Sequence, residues 1–271
     1  MLLFWILLTV VVCFFLYLYM IMPNTSRRSK ILPYLKRDYA HRGLHDSSRL
    51  IPENSMPAFR EAVKQNLAIE LDIHLTRDGK VVVFHDESLK RICNAEGTVE
   101  NSTFDTLQHL HLSGTSEHMP LFSDVLRYVN GRVPLLIELK LPDSNMKLCP
   151  AAWDILNKGP YMIQSFNSLG IRWFHKHAPQ VLRGQLSSAL TRTNPENPFL
   201  ARFCVQFLLT NLICRPDFIS YKLADTGNPS VWLNHYLYRI PMAVWTLRNQ
   251  KAYKTARNKY DMYIFEGFSV K

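Results

Sequence analysis

The chain has 271 residues, enough for one large domain or two small ones, and its 47% hydrophobic and 20% charged content excludes a disordered or a polytopic membrane protein. A net charge of +10 favours contact with something anionic, whether nucleic acid, phospholipid headgroups or a phosphorylated substrate. The basic residues are scattered rather than striped and no zinc-finger spacing occurs, so nucleic acid is the weaker option, while five widely spaced cysteines outline no disulfide framework and suit a reducing compartment.

Residues Met1 to Met22 carry no charged side chain, and about 20 such residues are what a helix needs to cross a bilayer. A cleaved signal peptide would want a basic start and a small-residue cleavage site, neither of which is present, so a retained transmembrane anchor is expected. Arg27, Arg28, Lys30, Lys36 and Arg37 follow directly, and by the positive-inside bias they place the larger, C-terminal part in the cytoplasm, tethered to the cell membrane by a single pass. Residues 23–37 read as a basic linker, either simply solvated or drawn to anionic headgroups.

From there β-rich runs alternate with helical stretches, the pattern of βαβ units around a parallel sheet. Strands are predicted at Asp38 to Arg42, Ala68 to Leu75, Val81 to His85, Pro134 to Lys140, Tyr161 to Phe166, Val181 to Leu186, Asp217 to Tyr221, Pro241 to Leu247 and Met262 to Phe265. That is one too many for an eight-stranded barrel. Asp78-Gly79 explains the excess: it favours a two-residue type I′ hairpin that folds Val81 to His85 back on Ala68 to Leu75, with His85 opposite Asp72. The fold class is then α/β, a (β/α)8 TIM barrel over residues 38–271 preceded by one transmembrane helix, 1–22.

Asn54-Ser55-Met56-Pro57 can cap a helix running through Phe59, Ala62 and Val63, and Phe122 to Val129 is a second amphipathic stretch. Residues 88–119 are too long and polar for a tight connection and read as a small insertion on top of the barrel. The apolar run from Pro198 to Cys214 is too short to span comfortably; it is either outer-shell helix or an interfacial helix touching lipid.

The chemistry lies in three strands. Side chains alternate along a strand, so Glu70, Asp72 and His74 share one side while Ile69, Leu71 and Ile73 face the helices. Glu138 and Lys140 project together in the same way. Buried carboxylates need partners, because desolvating an ion costs several kcal/mol. A divalent cation on Glu70, Asp72 and Glu138 supplies one, and the all-oxygen donors suit Mg2+ or Ca2+. A Glu138–Lys140 salt bridge without metal would leave Glu70 and Asp72 unpaired. His41 and His85 end strands, where barrel enzymes place their catalysts, and two imidazoles can supply a general acid and a general base. Arg42 and Lys140 complete a site for an anionic substrate such as a phosphodiester.

His41-Arg42-Gly43, the run Pro52 to Phe59, Glu70-Leu71-Asp72, Asp78-Gly79, Phe84-His85-Asp86 and Glu138-Leu139-Lys140 resemble, in order and spacing, the glycerophosphodiester phosphodiesterase family. Gln164-Ser165-Phe166, Gly184-Gln185-Leu186 and Val244-Trp245-Thr246 are fainter echoes. The resemblance implies a phospholipase C-like barrel with a small insertion. It implies metal binding at Glu70, Asp72 and Glu138, acid and base roles for His41 and His85, and phosphate contacts from Arg42 and Lys140. It also puts Glu53 on the active-site rim and Trp245 in the substrate pocket. Family members release glycerol phosphate and an alcohol, and some act as phospholipase D on lysophospholipids.

Two departures stand out. The usual Thr-Asp strand end, proline and last helix are replaced by Glu266-Gly267-Phe268 close to Lys271, and between Lys140 and Tyr161 only Ala151 to Asn157 is obviously helical. Both predict an exposed flank of the barrel that membrane, partner or oligomer contacts could cover. The leading expectation is a metal-dependent glycerophosphodiester hydrolase. The alternatives are a lysophospholipase D acting on membrane lysophospholipids and a non-catalytic scaffold that binds lipid headgroups.

Overall fold

Eight parallel strands close into a barrel in the computed structural model, which describes residues 1–156, 159–193 and 198–270. They are β1 Arg37–Ala40, β2 Ala68–Leu75, β4 Leu135–Leu139, β5 Tyr161–Ser165, β6 Leu182–Ser187, β7 Phe218–Lys222, β8 Met242–Leu247 and β9 Met262–Phe265. The order runs β1-β9-β8-β7-β6-β5-β4-β2, pairing of β1 with β2 closes the ring, and β3 (Val81–Val83) hangs antiparallel on β2.

The alternation of side chains makes two cores. Ile69, Leu71, Ile73, Ile137, Ile163 and Ile219 point outward and pack under the helices. Inside, the lower lumen is filled by Ala68, Leu136, Met162, Leu182, Phe218, Ala243, Met262 and Ile264. The inward residues one layer higher are polar, Glu70, Asp72, Glu138 and Gln164, so the barrel is dry at its base and charged at the strand C-termini. Both predicted helices are present: Ser55 accepts from Ala58 N at the start of Met56–Lys64, and the amphipathic stretch Phe122–Val129 is helical over the expected bounds without a side-chain cap. The helix between β4 and β5 is Leu148–Ile155, starting earlier than predicted, and Asn157 lies outside the described residues.

The hairpin departs from expectation. Ile73 pairs with Val83 and Leu75 with Val81, a register one residue short of the predicted one. A type I′ turn needs positive φ at both central residues, and here Gly79 has φ +78° while Asp78 does not join it. Thr76 takes over: its amide donates to Lys80 O at 2.9 Å, its hydroxyl donates to Asp78 Oδ1 at 2.6 Å, and the loop widens to Arg77-Asp78-Gly79. Phe84, not His85, then stands opposite Asp72, its amide donating to Asp72 O at 3.0 Å. Residues 88–119 fold over this hairpin on their own apolar cluster of Leu89, Ile92, Val99, Leu107, Leu112 and Met119, which also takes in Val82 and Phe84.

Residues 23–37 do not form a loose linker. A helical turn, Arg28–Ile31, and a 3-10 turn, Leu32–Tyr34, run beneath the barrel. Ile31 is fully buried, and Tyr34 and Leu35 pack on the lower lumen. Each such buried side chain contributes about 1.5–3 kcal/mol, which a solvated linker would forgo. Four of the five basic residues are held by the protein rather than free for headgroups, Arg37 through its Nε, which donates to Pro33 O at 2.8 Å. Arg27 donates to Asp217 Oδ2 at 3.1 Å and Val181 O at 3.0 Å, Lys36 to Tyr260 O at 2.6 Å, and Arg28 to Arg239 O.

One helix, Leu2–Ile21, is long and apolar enough to cross a membrane. Its last turns are part of the barrel's outer layer, where Ile21 O accepts from the buried Asn211 at 2.8 Å, Met22 O from Arg215 at 2.7 Å and Leu18 O from Tyr238 at 2.8 Å. β9 pairs with β1 from Met262 to Phe265, so the ring is closed here too. Outside it, a groove of about 470 Å3 lies between Leu44–Arg49, Gln65, Leu67 and the closing segment Phe265–Val270.

Candidate active site

The polar upper layer follows from register. Glu70 and Asp72 sit two apart on β2, and Asp72 is level with Glu138 on β4, so all three enter the lumen at nearly one height. One carboxylate oxygen from each lies within 4.8 Å of the others, and all three residues are buried. Burial, reinforced by the charges of Asp72 and Glu138, pushes the Glu70 carboxyl well above its ordinary range. Burial works in the same direction on Asp72, but Lys140, His85, Arg42 and the Asn54 amide outweigh it and hold that carboxyl low.

Two basic groups frame the acids. Lys140 Nζ lies 2.5 Å from Glu138 Oε1 and 3.0 Å from Asp72 Oδ1; although burial opposes its charge, these two carboxylates hold the ammonium firmly protonated. Arg42, in a left-handed conformation with φ +56°, donates through its amide to Glu70 Oε2 at 3.2 Å and through Nη1 to Glu53 Oε1 at 2.7 Å. Asn54 Nδ2 donates to Asp72 Oδ2 at 2.9 Å, and Gln164 Nε2 to Glu70 Oε1 at 3.3 Å.

A divalent cation fits this set. Beyond its ion pair with Lys140 Nζ at 3.0 Å, the buried Asp72 Oδ1 has no hydrogen-bond partner. The like charges that raise Glu70 are those a shared cation would relieve. Every donor is a carboxylate oxygen, as hard cations require.

Both histidines reach the same opening. His41 follows β1 and His85 follows β3, and with Arg42, Glu70, Glu138, Lys140 and Trp245 they line a cavity of about 140 Å3 above the acids. Each imidazole is gripped at Nδ1 by a carboxylate, His41 by Glu266 Oε2 at 2.5 Å and His85 by Asp86 Oδ1 at 2.6 Å. That leaves both Nε2 atoms for chemistry. His74, on the same face of β2, is absorbed elsewhere, its Nδ1 lying 2.5 Å from Glu100 of the insertion. Glu53 joins Arg42 to Arg91, whose Nη2 is 2.7 Å from Glu53 Oε1, and so ties the insertion to the site. On the far side, Phe166, Leu186 and Trp245 make an apolar wall, the Phe166 and Trp245 rings meeting edge to face at 5.9 Å.

The structure brings the expected residues His41, Arg42, Glu53, Glu70, Asp72, His85, Glu138, Lys140 and Trp245 to this one end of the barrel. Of their supports, Glu266, Arg91 and Arg248 carry no motif of their own, and Gln164 stands in a faint echo that gives no sign of its bond to Glu70. Glu266 directly follows β9, and the rule that barrel chemistry gathers at strand C-termini applies to it as it does to His41.

Comparison with known proteins agrees with this geometry. The glycerophosphoryl diester phosphodiesterase family profile matches residues 41–271. A glycerophosphodiester phosphodiesterase of Caldanaerobacter subterraneus is 32% identical over 54% of this chain and 65% of its own length. That of Bacillus altitudinis is 30% identical over 53% of this chain and 63% of its own. The matched stretches thus span less than two thirds of these relatives. Among solved structures, a glycerophosphodiester phosphodiesterase of Thermotoga maritima superposes with a TM-score of 0.65 at 24% identity, covering 84% of this chain and 93% of the other. An Oleispira antarctica phosphodiesterase in complex with the product sn-glycerol-3-phosphate gives 0.67 at 20%, covering 86% and 94%. At these identities the structural likeness speaks to the fold.

Proposed function

From the chain's membership of the glycerophosphoryl diester phosphodiesterase family, together with the lumen just described, we propose that it is a phosphoric diester hydrolase that splits glycerophosphodiesters into glycerol phosphate and an alcohol. The observation that carries this reading is that three buried carboxylates, two basic groups and two carboxylate-held imidazoles converge on one cavity. Glu70, Asp72 and Glu138 would hold Mg2+ or Ca2+, and when bound such an ion draws charge from a non-bridging phosphate oxygen.

The chain's own residues do the rest. Arg42 and Lys140 bind the phosphate and neutralise charge as the pentacoordinate state develops, and Glu53 orients Arg42 from the rim. Cleaving the phosphorus–oxygen bond needs one proton taken from the attacking oxygen and one given to the leaving alcohol. His41 and His85 are the pair for this, because Glu266 and Asp86 occupy their Nδ1 atoms and fix the tautomers. Trp245 and Phe166 flank the alcohol side. In the test, the purified full-length chain releases glycerol phosphate from glycerophosphocholine, and His41→Ala and His85→Ala each lose about 10²- to 10⁴-fold. Undiminished turnover in either variant refutes these assignments.

A second reading, lysophospholipase D, is favoured by the apolar wall of Phe166, Leu186 and Trp245 and by the apolar first helix. We take 1–22 as a retained membrane anchor, because Ile21 O and Met22 O satisfy Asn211 and Arg215 of the outer layer and removing the helix would strip those partners. The basic residues after it orient the 38–271 barrel, with its 88–119 insertion, to the cytoplasm.

A further inference from the structure

The first helix, the apolar rim of the barrel and the catalytic mouth lie on one flank. Asn24, just beyond the helix, donates to Pro216 O, at the base where β7 begins. Going back along the helix, Ile21 meets Asn211, one turn above that base, and Tyr17 Oη lies 2.7 Å from Ser230 Oγ. Ser230 starts the helix Pro229–Tyr236, which follows the upper end of β7. The last turns of the first helix therefore climb the outside of the barrel from base to top, and Leu2–Leu16 projects from the side where the strands end.

Beside that exit sits the helix Phe199–Gln206. Its C-terminal end is tied to the upper ends of β6 and β7: Ser187 Oγ donates to Val205 O at 2.9 Å, and Gln206 O accepts from Tyr221 Oη at 2.9 Å and Asn228 Nδ2 at 3.0 Å. Its opening residues Phe199 and Leu200 are 62% and 71% exposed, and Phe203 is also exposed. Lower on the same flank Leu212, Trp232 and Tyr236 are exposed around the packed turn of the first helix. Leu186 of the site's apolar wall lies on β6, under this rim.

A helix that spans a bilayer and packs its last turns on the barrel keeps that flank at the interface, and what surrounds it there must tolerate lipid. Apolar and aromatic side chains are what the flank offers.

We propose that this flank, from Phe199 and Leu200 on the rim to Trp232 beside the first helix, rests in the bilayer that the first helix spans, so that the mouth of the site opens along the lipid surface. The proposal rests on the phosphodiesterase reading only for its catalytic consequence: a diester carrying an acyl chain would enter from the membrane past Leu186. The basic residues beneath the barrel point away from that surface.

The test uses the full-length chain in vesicles of phosphatidylcholine with phosphatidylglycerol, with Cys13, Cys93 and Cys204 replaced by serine. A nitroxide is placed through Leu200→Cys or, across the barrel at an equally exposed site after β1, through Leu50→Cys. The expected result is a Leu200 label accessible to oxygen and shielded from an aqueous nickel chelate, at about 5–10 Å depth, with the Leu50 label open to the chelate. Equal chelate access at both sites overturns the proposal. Turnover provides the second arm: Phe199→Ser with Leu200→Ser should lower hydrolysis of vesicle-borne lysophosphatidylcholine about tenfold and leave soluble glycerophosphocholine unaffected. Equal turnover of vesicle-borne substrate by wild type and variant overturns entry from the membrane. If neither diester is cleaved by the wild type, the phosphodiesterase reading fails while the label depths still decide the membrane face.

Discussion

Glu266 Oε2 stands 2.5 Å from His41 Nδ1, joining the last strand of the barrel to the first across the closing seam. Arg248 Nε holds the other oxygen of the same carboxylate at 2.5 Å. A histidine so fixed presents one tautomer to substrate, and Glu266 is a positioning residue. Glu266→Gln should lower kcat about 10- to 100-fold, the range for losing an orienting carboxylate behind an active imidazole, with KM little changed. It should also move the pH profile of kcat, and Glu266→Asp should recover part of the loss. A kcat within twofold of wild type would show that His41 needs no such support.

The same carboxyl couples stability to pH. Burial would raise it, but hydrogen bonds and charge from His41 and Arg248 prevail and bring it down to about 2. A group depressed on folding stabilises above its unfolded value, near 4.5, and that contribution fades as pH falls through about 2. The stability difference between wild type and Glu266→Gln, read from urea unfolding in detergent, should be full at pH 6 and shrink steadily below pH 4.5. A difference that grows with acidification would reverse the sign of this linkage.

At the opposite end of the barrel, Asp217 Oδ2 is 3.1 Å from Arg27 Nη1 and 3.6 Å from Arg183 Nη1, all three side chains being largely or fully buried. Asp217→Asn keeps the shape and strands two guanidinium groups. Removing one partner of a buried pair costs about 3–5 kcal/mol, so the urea midpoint should drop sharply. An unchanged midpoint would mean that the segment beneath the barrel contributes nothing through Arg27.

Gly184 on β6 faces the ring of Phe218 in the lower lumen. A Cβ at that position would come within 2.2 Å of Phe218 Cε2, and the ring has no free direction in a filled core. Gly184→Ala should cost about 1–3 kcal/mol by overpacking, and Gly184→Ala combined with Phe218→Leu should recover part of it. Neutrality of the single change would contradict the tight packing seen at the base.

Strand alternation carries most of the fold. Ala68 to Leu75 and Met262 to Phe265 are both the expected and the observed bounds of β2 and β9, and the two-residue repeat of polar side chains on β2 and β4 is enough by itself to bring Glu70, Asp72 and Glu138 to one side. What was not legible depended on local competition or distant contact. Thr76 captured the turn that Asp78-Gly79 alone would have made. The apolar residues Ile31, Tyr34 and Leu35 were overshadowed by the arginines and lysines around them, so a base plug looked like a linker. The partnership of His41 with Glu266 spans 225 positions, and no spacing rule reaches that far.

Glu70 offers a test of the cation site that is separate from turnover. Ions that bind only the folded state should stabilise it by about 2.7 kcal/mol at a hundredfold excess over Kd, a Tm rise of roughly 5–10 °C. Glu70→Gln should abolish that rise, while the ion-free variant, relieved of one like charge, melts no lower than wild type. An equal rise in both proteins would place the ion elsewhere.

The most direct measurement is glycerol phosphate release from glycerophosphocholine by the full-length chain, first with Mg2+ or Ca2+, then after chelation, then after the ion is restored. Turnover with the ion, its loss on chelation and its return on restoration are predicted from the buried triad of Glu70, Asp72 and Glu138. Turnover that survives the chelator undiminished, or none with either ion, would contradict a cation-dependent phosphodiesterase.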